Sequence, residues 1–132
     1  MKDRNTLLFG LLNLLQGAAI LSVPFFVASR EPAVNWVLGL SGALMVAASP
    51  VLVLGGRRGA FFAALACLVH GAVGTVLAAL IAGSAAYLYG IYGATGRSAG
   101  AIAFALAGFV LVVFWLIPAH ELKFLRGRLK TQ

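Results

Sequence analysis

Residues 60–82, AFFAALACLVHGAVGTVLAALIA, decide the fold class. The stretch holds no charged side chain, and at about 1.5 Å per helical residue it reaches about 35 Å, more than the roughly 30 Å hydrocarbon core of a bilayer. A helix on a soluble protein of that length would keep a charged face toward water. This one has none, so it reads as a transmembrane helix.

Working outward, the same reading repeats. On the N-terminal side lie the apolar runs 7–28 and 33–54, and on the C-terminal side the run 99–118. None of the ten Lys or Arg and three Asp or Glu interrupts them, and 62% of the 132 residues are hydrophobic. A soluble domain is about a quarter charged, which this chain is not. The first run has a basic start, as a signal peptide does, but it is longer than the usual apolar region and Phe26 occupies a position where a small-x-small cleavage site needs a small side chain. It reads as a retained helix. Pro32 suits the first turn of the second helix, where its missing N–H is not needed. The expected fold is an all-α, polytopic transmembrane four-helix bundle forming one integral membrane domain over residues 1–132. Pro24, Pro50 and Pro118 fall near helix ends and read as boundary devices.

The connections orient it. Lys2, Arg4, Arg57, Arg58, Lys123, Arg126, Arg128 and Lys130 fall on one side, against Arg30 and Arg97 on the other. By the positive-inside rule both termini are expected to be cytoplasmic, in a bacterial plasma (inner) membrane. Arg57 and Arg58, with Lys123, Arg126, Arg128 and Lys130, then serve topology and lipid headgroups. The net charge of +7 is accounted for by these membrane exits, so nucleic acid is not an expected partner. Residues 119–132 interleave Leu122, Phe124, Leu125 and Leu129 with cations and read as a short amphipathic cytoplasmic tail along the membrane surface. Residues 83–98, with Tyr87, Tyr89 and Tyr92, can extend the third helix, re-enter the membrane or lie at the interface. The tyrosines favour an interfacial segment.

Small residues recur at helical spacing. In the third helix Ala60, Ala64, Cys67, Gly71, Gly74, Ala78 and Ala82 line one narrow face, with Gly39, Ala43 and Ala47 forming a second, and Gly96, Gly100, Ala103 and Ala107 a third. Such faces let helix backbones approach closely in lipid, where dispersion replaces the aqueous hydrophobic drive. Three of them suggest a homo-oligomer or an association with another membrane protein, beside packing within one chain.

Few polar groups lie at depth. Asn13 is about 10 Å and Gln16 about 15 Å into the first helix from Thr6, and Cys67 and His70 fall at the same two depths on the returning third helix. The expected pairs are Asn13 with Cys67 and Gln16 with His70, as helix glue or as contacts to a ligand. No carboxylate is expected at that depth, which argues against ion coupling. One cysteine excludes an intrachain disulfide, and the scattered His and carboxylates make no metal set. No cofactor is expected. Cys67 and His70, three apart on one helix, lack an orienting third group and oxyanion donors, so no catalytic dyad is assigned and an enzyme is the less favoured class. The leading expectation is a membrane interaction module, an accessory subunit or homo-oligomer. The alternative is a carrier for a small lipophilic molecule, with Asn13, Gln16, Cys67 and His70 as polar contacts and Tyr87, Tyr89 and Tyr92 at an outer entrance.

Overall fold

The computed structural model describes residues 3–26 and 32–131. Lys2, Ala28, Arg30 and Glu31, which entered the reading of the first run and of orientation, lie outside the described residues. Helix α1 covers Arg4–Phe26, α2 Pro32–Leu54 and α3 Gly56–Leu111, followed by a π-helical turn at Val112–Leu116 and by α4 at Ile117–Thr131. The protein is an all-α bundle with three long apolar helices, the third of which spans Gly56 to Thr131 and is bent back on itself at Gly93.

Four separate helices were expected, and this corrects the count. The segment 83–98 is helical on both sides of Gly93 and belongs to the third helix rather than forming a separate connection between two helices. Its alanines and tyrosines continue the helix, and the reversal is made at one residue, Gly93, whose φ of 55° and ψ of −125° lie where only glycine is at ease. A straight helix of 76 residues would reach about 114 Å, nearly four bilayer cores, so it has to fold back. It does so as two antiparallel arms. The Trp115 indole N–H donates to Thr75 Oγ1 at 2.6 Å across them, forty residues apart in sequence.

The expected C-terminal tail is corrected as well. Residues 117–131 do not lie apart along a surface: Leu125 is fully buried against Met45, Ala48, Leu52, Ala60, Ala63 and Ala66, with Phe9, Phe124 and Leu129 packed around that core. The apolar residues interleaved with the cations face inward here, because α4 continues the bundle seam that Phe114 and Pro118 begin.

Between α2 and α3 the chain turns as tightly. Gly55 N–H donates to Val51 O at 2.8 Å, and Gly56 has φ +56°. A Cβ at Gly59 would collide with Val51 O, so α2 and α3 meet with almost no loop, and Arg57 and Arg58 are in the first turn of α3. Helices α1 and α2 cross at Gly17 and Gly42. A Cβ on Gly17 would stand 2.7 Å from Gly42 O.

Candidate polar core of the bundle

Three contacts set the register of α1 against α4. Arg128 Nη1 donates to Thr6 Oγ1 at 2.9 Å, the Phe9 and Phe124 rings stack at 5.2 Å, and Asn13 Nδ2 donates to Glu121 Oε1 at 2.7 Å. Each step is one helical turn, so the helices run antiparallel with matched rungs. The third rung overturns a sequence expectation. Glu121, assigned to a surface tail, is 1% exposed and sits at the depth of Asn13, about 10 Å inside the basic end. A carboxyl therefore does lie within the bundle. The sequence signal for it was the inward stripe Phe114, Pro118, Glu121, Leu125, hidden by the exposed Lys123 and Arg126 beside it.

Around that carboxyl the expected pairs rearrange. Asn13 takes Glu121 instead of Cys67, and the Cys67 thiol lies against the same carboxyl from α3. One turn further in, His70 does not pair with Gln16. Its Nδ1 is 3.1 Å from Ser41 Oγ of α2, and its ring stacks on Phe114 at 4.1 Å and 11°. If Ser41 donates, His70 Nε2 carries the proton; if Nδ1–H donates, Nε2 is an acceptor. In either tautomer Nε2 has no partner, and neither has Gln16 Nε2 nor Asn13 Oδ1. Ser41 was missed by sequence reading. It lies on the inward stripe Leu38, Ser41, Met45, Ala48, Leu52 of α2, and that stripe was the available signal.

The small-residue faces separate into used and unused ones. On α3, Gly71, Gly74 and Ala78 are buried and Ala64 is half-buried, while Gly71 meets the Trp115 ring and Gly74 meets Phe114. On the returning arm Gly100, which meets Tyr89, and Ala107 are buried, with Ala103 half-buried. On α2, by contrast, Ala43 and Ala47 are exposed, and a Cβ at Gly39 would meet nothing within 4 Å. Tyr87, Tyr89 and Tyr92 are exposed next to the Gly93 reversal, at the end away from the basic one. Arg57, Arg58, Lys123, Arg126 and Lys130 are exposed at the basic end, where Arg128 is half-buried through its bond to Thr6.

The most apolar cavity is a groove of about 360 Å³ between α2 and α3, lined by Val34, Val37, Leu38, Val73, Val76 and Leu77 among others. Its wall includes neither His70 nor Gln16. Among the described residues no three of His, Cys, Asp and Glu gather as a metal set.

Helices of this length and apolarity, with a few polar side chains in an apolar interior and exposed Leu, Val and Phe outside, define a small polytopic α-helical membrane protein. Lipid is accordingly a partner of its outer surface. No family model matches the chain, and neither a curated protein nor a solved structure is similar to it.

Proposed function

We propose that the protein is a membrane interaction module, an accessory subunit or homo-oligomer that docks another transmembrane helix on the outer face of α2. One observation carries this reading: of the three small-residue faces, those on the two arms of the third helix are consumed inside the bundle, while Gly39, Ala43 and Ala47 remain open at four-residue spacing. Such spacing is the pattern by which helices approach closely in lipid. The opposite face of α2 carries Gly42, Met45 and Ala48 and is already covered, so α2 has a second partner surface available. The basic end, with Arg57, Arg58 and the cations of α4, is read as cytoplasmic by the positive-inside rule, placing both termini there.

The carrier reading is weaker on this geometry. A lipophilic guest in the α2–α3 groove would meet only apolar walls, without the polar contacts of His70 or Gln16 that would give it a specific orientation.

Native mass measurement in mild detergent tests the leading reading. The wild-type chain is expected as an oligomer or as a complex with another membrane protein, and Gly39→Leu with Ala43→Leu is expected to release it. Gly108→Leu, at another open glycine, is expected to leave assembly intact. A wild-type chain that is monomeric and partner-free in both detergent and vesicles would refute the proposal.

A further inference from the structure

We propose that Glu121, with Asn13 and Cys67 around it, is an intramembrane proton-binding site that exchanges with water at the basic end of the bundle through the Phe9–Phe124 stack. The inference is independent of whether the α2 face is occupied.

The geometry assigns the ligand class. Glu121 accepts from the Asn13 amide and lies against the Cys67 thiol, and among the described residues no Lys or Arg pairs with it. Ionisable residues inside membranes are costly, face the bundle interior, and mark ion pathways and proton relays. A metal ion is a poor guest, since the described His, Cys, Asp and Glu side chains do not converge in threes. A proton needs no such shell.

The facing groups are few. From α1 comes Asn13, fully buried, whose Oδ1 is unpartnered and whose amide lies on the carboxyl. From α3 come Cys67 and, one turn beyond, His70, whose unpartnered Nε2 is equally buried. The polar side chain of α2 in this core, Ser41, is spent on His70. On α4 itself, His120 and Lys123 are exposed, and Arg128 is bound to Thr6 two turns nearer the end. Asn13 Oδ1 is a free hydrogen-bond acceptor on the residue that holds the carboxyl, and His70 Nε2 is a second in the tautomer with its proton on Nδ1. Left unsatisfied in hydrocarbon both are costly, and an entering water molecule that exchanges the Glu121 proton has them to bond.

The route is equally specific. Between the Thr6–Arg128 rung and Glu121 stands one layer, the stacked Phe9 and Phe124. When the stack opens, the Glu121 O–H bond breaks, the proton passes to a water molecule from the basic end as hydronium, and the carboxylate stays hydrogen-bonded to Asn13.

The chain has three side-chain carboxyls, Asp3, Glu31 and Glu121, so Glu31→Gln leaves Glu121 as its single glutamate. That variant, labelled with 13C-glutamate and reconstituted in phosphatidylcholine vesicles, is read by infrared difference spectroscopy. The expected result is a labelled band that interconverts between carboxyl and carboxylate forms with bulk pH. Its exchange in D2O is expected to quicken at least about tenfold on Phe9→Ala, the population change that losing an aromatic pair and its burial produces. Phe124→Leu, which keeps apolar bulk, is expected to act in the same direction and covers the case in which Phe9→Ala does not fold. Leu14→Ala, on the lipid side of α1, is expected to change nothing. A labelled band that ignores bulk pH in the folded protein would overturn the proton site. Exchange equally fast with and without the stack would overturn the route.

Discussion

Replacing Gly74 by alanine adds one methyl group where the two arms of the third helix touch. That Cβ would overlap Phe114 Cβ and stand 2.5 Å from its Cγ and 2.8 Å from its Cδ1. The nearest of these atoms is bonded directly to the backbone, so no rotamer change relieves the clash and the arms have to part. Overpacking of this kind costs about 1–3 kcal/mol. Parting also weakens the His70–Phe114 stack and the Trp115–Thr75 hydrogen bond, the latter worth about 1 kcal/mol. At Gly83, on the same helix, an added Cβ meets nothing within 4 Å, and alanine there gains up to about 1 kcal/mol of helix propensity. Gly74→Ala is therefore expected to lie about 2–4 kcal/mol below Gly83→Ala, roughly 30- to 700-fold in the folding equilibrium. Gly71→Ala falls between them, because its Cβ would be 3.2 Å from the Trp115 ring, the far end of a side chain that can shift. Reversible unfolding by rising dodecyl sulfate fraction in mixed micelles, followed by Trp115 emission in a Trp36→Phe background, measures the series. Coincident unfolding of the Gly74 and Gly83 variants would refute the packing of the arms at this point.

Gly93→Ala is expected to destabilise the reversal by about 1–3 kcal/mol through backbone strain alone, since its Cβ would meet no neighbour; Gly90→Ala, equally open but without a positive φ, is expected to be near neutral in the same assay. Asn13→Leu removes the amide from Glu121 and is expected to cost about 1–3 kcal/mol, with a larger loss than Thr6→Val at the half-buried Arg128 rung. Cys67 is 1% exposed, so a membrane-permeant maleimide should label it only as fast as the bundle opens, and faster in Gly74→Ala. Labelling at the rate of a free thiol would contradict its burial.

Legibility in the sequence tracked how local the deciding physics is. The apolar stretches of α1, α2 and 60–82 were readable because hydropathy accumulates residue by residue along a helix. The small face of α3 was readable for the same reason, as its spacing is fixed by the helix itself. Glu121 was not readable in this way. Lys123 and Arg126 on either side of it give residues 119–132 the composition of a solvated tail, and only the rotation of α4 about its axis turns Glu121 and Leu125 inward while those cations stay outside. Gly93 was equally opaque. It is one glycine among several in 83–98, and its reversal becomes visible only when Trp115 is found beside Thr75.

What the sequence determined by itself is a membrane protein with long apolar helices, a basic end and small-residue faces, because length, charge and periodicity need no knowledge of neighbours. Tertiary structure decided which polar groups meet. Asn13 and Cys67 do share a depth, but a carboxyl from α4 comes between them, and His70 is claimed by Ser41 instead of Gln16. Depth along a helix follows from counting at 1.5 Å per residue. Azimuth is set by packing against the other helices, and it is azimuth that places a lone carboxyl inside the bundle.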